Sequence, residues 1–200
     1  LATLAATGCI DNDIPYPIVK LDILTLSAEG EKAPATINTS ACTVDFELEE
    51  IIDIRKVEIK DVTFTEGAEA DVQFPGRFDM RNALYVNLTK YQTFEWTIRA
   101  TQNIERYFRV EGQIGESEID AVSHIATAYV PMDYDMNNVR ITAAKFGPKD
   151  ITTYYPDPLS FTSFDGTVHH TMVSYHGDIE EMWTLKIIQK DIDVEFSAVD

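Results

Sequence analysis

The sequence predicts an all-β chain built as two tandem immunoglobulin-like β-sandwich modules. Short segments alternate apolar and polar residues with period two. Turn signals separate them every 8 to 12 residues. The first part of the chain also recurs in the second part at a fixed offset.

The repeat is read residue by residue. Glu29-Gly30 returns as Glu111-Gly112, an offset of 82. At the same offset Ile37 meets Ile119, Asp53 meets Asp135, Val57 meets Val139, Ile59 meets Ile141 and Phe64 meets Phe146. Seven identities fall in 28–64 against 110–146, where chance supplies about two at ~1 in 20 per position. A second block aligns Val86, Trp96 and Thr97 with Val173, Trp183 and Thr184 at offset 87. Two homologous modules of about 85 to 90 residues follow.

In chain order, Cys42 to Leu48 alternates cleanly and is expected to be a strand. Val57 to Phe64 alternates up to Asp61 and resumes in the other phase, as a β-bulge requires. Ala83–Leu88 and Phe94–Ala100 complete the first module. Tyr107–Val110, Ile125–Val130, Val139–Phe146, Val168–Tyr175 and Met182–Ile188 are the strands of the second. Turn residues punctuate them at Asn38-Thr39-Ser40, Pro75-Gly76, Gly147-Pro148, Asp165-Gly166 and Gly177-Asp178. No segment sustains an apolar stripe at helical spacing. The expected organisation is 1–13 as leader remnant and tether, 14–105 as module one and 106–193 as module two. Thr101-Gln102-Asn103 forms a short polar crossover between the modules. Residues 194–200 read as a linker or the opening strand of a further domain, because Phe196 echoes Phe108.

Composition narrows the function. Of 200 residues, 16 are Lys or Arg and 34 are Asp or Glu, a net charge of −18. That balance argues against nucleic acid, which needs clustered cations, and against docking on anionic lipid through a basic patch. Two cysteines supply neither a disulfide-rich scaffold nor a four-thiolate zinc site. No run reaches 18 uninterrupted apolar residues, so no segment reads as a spanning helix.

The N-terminal Leu1-Ala2-Thr3-Leu4-Ala5-Ala6-Thr7-Gly8-Cys9 places small residues before a cysteine after an apolar run. Ala6-Thr7-Gly8-Cys9 resembles a bacterial lipobox, which implies lipidation of Cys9. Asp11 and Asp13 behind it resemble the surface-export signal of Bacteroidetes lipoproteins, and Pro15 and Pro17 stiffen an extended tether. The implied location is the outer membrane, lipid-anchored and surface-exposed.

Together, the Ile14-Pro15-Tyr16-Pro17 tether, the Asp-x-x-x-Val-x-Ile motif (Asp53 to Ile59, Asp135 to Ile141) and the closing Trp-Thr pairs resemble a known family. They look like the N-terminal region of the putative carbohydrate metabolism domain (PCMD) lipoproteins of gut Bacteroidetes. The resemblance runs from Cys9 to Asp200. It implies adhesin-like β-sandwiches followed by a jelly-roll domain associated with glycan binding or processing. None of the 200 residues is assigned to that domain, so the natural chain is expected to continue beyond Asp200.

Candidate sites each have a plainer alternative. Trp96 and Trp183 suit sugar stacking, but an aromatic required twice by one fold belongs to the core. Cys42 sits on the apolar phase of its segment as a small hydrophobe, with His124 in the matching place. Asp133-Tyr134-Asp135-Met136-Asn137 opens like a calcium loop. However, Asn138 replaces the required Gly and Ala144 the required Glu, so it reads as a turn capped by Asp135. His169 and His170 are adjacent on a strand and point to opposite faces, and with His176 they are expected at loops or edges rather than on a metal. Tyr154-Tyr155-Pro156, with Tyr134, is the candidate carbohydrate-binding surface. The alternative is an ordinary Pro-rich turn. No catalytic residue, metal or cofactor is assigned. The expected function is a non-catalytic surface stalk supporting glycan binding or use by a distal domain. The alternatives are direct carbohydrate binding through module-two loops and a fragment of a glycoside-processing enzyme. A glycan or another cell-surface protein is the expected partner.

Overall fold

The computed structural model describes residues 19–191. Its regular structure is all strand, apart from one 3-10 turn at Pro158–Ser160. The first repeat contains β1 (Ile23–Ala28), β2 (Thr36–Asn38), β3 (Thr43–Leu48), β4 (Val57–Phe64), β5 (Glu69–Ala70), β6 (Gly76–Phe78), β7 (Leu84–Thr89) and β8 (Thr93–Gln102). The second contains β9 (Tyr107–Val110), β10 (Glu118–Asp120), β11 (Ile125–Pro131), β12 (Ile141–Lys145), β13 (Thr153–Tyr155), β14 (His169–Tyr175) and β15 (Ile179–Lys190). Cys9 and the stretch 194–200 lie outside the described residues.

The first repeat forms one sheet in the order β1-β4-β6 and another in the order β2-β3-β8-β7-β5. The second forms β12-β9 and β10-β11-β15-β14-β13. In each five-stranded sheet one pair is parallel, β3 with β8 and β11 with β15, while the other pairs are antiparallel. The segment after the 3-10 turn stands where β6 stands in the first repeat. There Val139 N–H donates to Thr162 O (2.8 Å) and Phe164 N–H to Met136 O (2.7 Å), as Met80 N–H donates to Ile54 O (2.8 Å).

Local geometry repeats with the sequence. Ala28 pairs with Ile59 and Ser27 with Asp61, leaving Lys60 as the extra residue of a bulge. Val110 pairs with Ile141 and Arg109 with Ala143, leaving Thr142 in the same role. The phase change read at Asp61 is this bulge. Asn38 Oδ1 accepts the amides of Ser40 and Ala41 (both 3.1 Å), and Asp120 Oδ1 accepts those of Val122 (3.0 Å) and Ser123 (2.9 Å). Both are side-chain-capped turns. Cys42 (φ 53°) and His124 (φ 54°) follow these turns in the left-handed region. Their carbonyls accept the amides of Thr97 (2.9 Å) and Thr184 (2.8 Å). Cys42 therefore precedes its strand and is only half-buried, a correction to its expected core position.

One matched pair in the sequence is displaced. Val86 lies opposite Trp96, but Thr171, not Val173, lies opposite Trp183. The β14–β15 hairpin is two residues longer than β7–β8, one in each arm between this pair and an equally long turn, which displaces the alignment by two.

Two apolar clusters hold the fold together. One is drawn from Leu21 to Ile98 and surrounds Trp96, and the other from Phe108 to Ile187 and surrounds Trp183. Both indoles are fully buried, as expected for core aromatics. Phe146 stacks on Trp183 at 4.7 Å between centroids. Burial of such side chains is the main favourable contribution, ~2 to 3 kcal/mol for each large one. At the turns Gly30 (φ +65°) and Gly112 (φ +75°) are required. A Cβ on Gly30 would lie 2.3 Å from Ile52 Cγ1 and one on Gly112 3.2 Å from Tyr134 Cε2.

Candidate functional site

Strand β8 ends at Gln102 and β9 begins at Tyr107, so four residues carry the chain from one repeat to the other. They leave a cleft of about 320 Å³. Its first-repeat wall is the β3–β4 loop (Asp53, Ile54, Arg55) with Arg81, and its second-repeat wall is the β14–β15 turn (Tyr175, His176, Ile179) with Glu181.

The β3–β4 loop is folded by Asp53. Its carboxylate accepts the backbone amide of Arg55 (3.0 Å) and two guanidinium hydrogen bonds from the same residue (both 2.8 Å). Locked in this way, Arg55 reaches across the cleft and donates to Asp178 through Nη1 (3.1 Å) and Nη2 (2.6 Å). The Arg55 hydrogen bonds hold the Asp53 carboxyl at about 2, against the opposing effect of burial. Asp178 is lowered by Arg55 in the same way. A second clasp lies beside it. Lys145 Nζ donates to Glu50 Oε2 (2.7 Å) and to the Glu105 carbonyl (2.7 Å), and Lys149 N–H donates to Glu50 Oε1 (3.1 Å). Burial pushes the Glu50 carboxyl upward, but the Lys145 and Lys149 hydrogen bonds outweigh it and the net shift is downward.

The floor of the cleft belongs to the second core. Glu181 accepts the Tyr175 hydroxyl (2.6 Å) and the Trp183 indole N–H (3.1 Å), and His124 Nε2 lies 3.8 Å from it. Burial, and then the Glu181 hydrogen bond, push the Tyr175 phenol well above its ordinary range. The opposite wall is fixed by Gln102, whose Nε2 donates to the carbonyls of Glu49 (2.9 Å) and Ile52 (2.7 Å). At this junction Arg55, Arg81 and Lys145 are each paired with a carboxylate of their own loop or of the other repeat. The sequence marked Asp53 only as part of a repeated motif. The signal available for this site was the missing counterpart of Arg55, since Asn137 stands at that position in the second repeat.

The three candidate tyrosines do not form one surface. Tyr134 covers Gly112 as Ile52 covers Gly30. Tyr154 and Tyr155 are consecutive on β13 and so point to opposite faces. Tyr154 turns inward, edge-on to Phe146 (6.1 Å), and its hydroxyl accepts the Phe146 amide (3.0 Å). Tyr155 is 82% exposed. The histidines also separate. His169 is stacked on Phe161 (4.2 Å) with Nε2 at 2.6 Å from Ser163 O, so it is packed rather than at a solvated edge. His170 Nδ1 is 3.1 Å from Thr184 Oγ1 on the other face. Asp135 Oδ1 accepts the Asn137 amide (3.0 Å), the capped turn expected at that loop. Among the described residues no helix is long and apolar enough to cross a membrane.

No family model matches this chain, and no curated protein matches it. Among solved structures, a Bacteroides thetaiotaomicron protein titled "putative glycoside hydrolase" aligns at 16% identity with a TM-score of 0.40. The alignment covers 53% of this chain and 33% of that one, so it spans about a third of the length of that protein. Similarity at that level informs neither fold nor function here.

Proposed function

We propose that the chain is a non-catalytic, two-module spacer of immunoglobulin type, belonging to a lipid-anchored surface protein that supports glycan binding or use by a distal domain. The observation carrying this reading is the junction. Two repeats of one architecture abut end to end, and Arg55–Asp178 and Lys145–Glu50 fasten them. A jointed spacer needs that stiffness, and a cleft whose charged groups are paired with one another suits positioning better than turnover. The strand order supports the immunoglobulin reading. One sheet pairs β1, β4 and β6, and the other sets β3 parallel to the last strand, which is followed by β7 and β5. Lipidation of Cys9 and the outer-membrane location rest on the lipobox resemblance, and the PCMD assignment on the motif order.

Small-angle scattering on the intact chain tests the spacer. At a dilution that keeps the chain monomeric, one fixed maximum dimension is expected, with a wider distribution in the double variant Glu50→Gln/Asp178→Asn. A distribution as wide in the unmodified chain would refute stiffness. Screening the same chain against a glycan array and for glycan turnover tests the other half. Binding that is lost in Tyr155→Ala would replace the spacer by a carbohydrate-binding module, and any turnover would replace it by an enzyme.

A further inference from the structure

The surfaces that meet at the junction occur a second time in the molecule. The β3–β4 loop of the first repeat, capped by Gln102, receives the β14–β15 turn. In the second repeat Gln189 repeats that cap, its Nε2 donating to the carbonyls of Met132 (2.9 Å) and Tyr134 (3.0 Å). Beside it is a cleft of about 480 Å³ lined by Met132, Met136, Phe164, Val168 and Ile188, with Asp165 on its rim. Met132 stands where the first repeat has Glu50, Met136 where it has Ile54 and Asn137 where it has Arg55. The charged clasp of the junction is thus replaced by an apolar surface, with Met132 57%, Val168 47% and Ile188 44% exposed.

The complementary surface is the β7–β8 turn, the counterpart of the β14–β15 turn. At its tip Tyr91 is 85% exposed, with Lys90 Nζ 5.8 Å from the centre of its ring. An exposed aromatic flanked by a cation suits a methionine-lined cleft with an acidic rim.

We propose that copies of this chain associate head to tail, the β7–β8 turn of one copy seating Tyr91 in the Met132–Met136–Ile188 cleft of the next and Lys90 facing Asp165. This inference goes beyond the spacer reading; a following domain seated on the Gln189 cap would compete for the same cleft. The contact joins two different surfaces, so it builds open strings or rings rather than a symmetric dimer. Opposing it is the repulsion between chains of net charge −18. Because the contact is mainly apolar, added salt strengthens it by screening that repulsion, the reverse of an ionic interface.

Sedimentation velocity on the full chain under reducing conditions, at rising concentration and at low and ~0.5 M salt, reads this directly. Species larger than a monomer are expected, more of them at the higher salt. Tyr91→Ser and Met132→Asp, each checked for a native circular dichroism spectrum, are expected to weaken association at least about tenfold. Mixed together they form a one-to-one complex that grows no further, since each retains the face the other has lost. Lys90→Asp and Asp165→Lys form a second pair, weak alone and restored on mixing. A chain that stays monomeric under all these conditions overturns the proposal. So does association that survives in either single variant, which would indicate a symmetric contact or capture of another segment.

Discussion

Replacing each tryptophan by phenylalanine is expected to destabilise the two repeats unequally, although Trp96 and Trp183 occupy matching positions. Both side chains are fully buried, so the smaller ring leaves a void of roughly 40 Å³, costing about 1 kcal/mol at ~24 cal/mol per Å³. Each also loses an indole hydrogen bond, about 1 kcal/mol more. The acceptors then differ. Trp96 donates to the carbonyl of Leu21 (2.9 Å), a residue only 1% exposed, and the carbonyl is left without that donor. Trp183 donates to Glu181, which keeps the Tyr175 hydroxyl and whose side chain, 18% exposed, retains access to water. A stranded buried acceptor costs about 1 kcal/mol or more, so the totals are about 3 kcal/mol for Trp96→Phe and about 2 kcal/mol for Trp183→Phe. These are large fractions of the ~5 to 15 kcal/mol that holds an ordinary domain. Urea denaturation followed by circular dichroism measures them, while the indole that each variant keeps reports by fluorescence on the unaltered repeat. In Trp183→Phe the Trp96 signal is expected to move little, while circular dichroism reveals an earlier transition. Equal costs, or a larger cost for Trp183→Phe, would refute the assignment of the difference to the acceptor.

Three further outcomes follow from the same geometry. Asp53 is held at about 2 against an ordinary 3.8, and Glu50 and Asp178 are shifted the same way. Carboxylates lowered by folding contribute stability above their unfolded values and lose it as pH falls through the folded ones. The junction is therefore expected to hold at neutral pH and loosen between pH ~4 and ~2, seen by scattering as a broader dimension. Gly30→Ala is expected to cost about 2 kcal/mol or more, since φ is +65° and the new Cβ meets Ile52, whereas Gly166→Ala, at φ +63° with open space around it, costs about 1. Thermal melts of both variants check the order. Tyr154→Phe removes the acceptor of the Phe146 amide and is expected to cost about 1 to 2 kcal/mol, whereas Tyr155→Phe is neutral within about 0.5. Chemical denaturation distinguishes the inward tyrosine from the outward one.

Strands β3, β4, β7, β8, β9, β11, β12, β14 and β15 were legible because period-two burial is written locally, whereas β1 and the two- or three-residue strands β2, β5, β6, β10 and β13 were not read. Strand β9 occupies Tyr107–Val110 as read, and the bulge in β4 was visible as a phase change. The site was less legible. An ion pair such as Arg55–Asp178 spans 123 positions and leaves no local pattern. The two tyrosines of β13 look equivalent in the sequence, yet alternation puts one against Phe146 and the other in water.

Composition, periodicity and self-similarity by themselves determined that this protein is β throughout and twice repeated, with a tryptophan at each core. Those properties depend on which residues lie two, four or about 85 positions apart, and the chain carries that information in one dimension. The junction, the displaced pairing of Thr171 with Trp183 and the scattering of the three tyrosines were decided only in three dimensions. The junction joins side chains 123 positions apart, the displaced pairing follows from a hairpin two residues longer, and the tyrosines separate because consecutive strand residues face opposite sides.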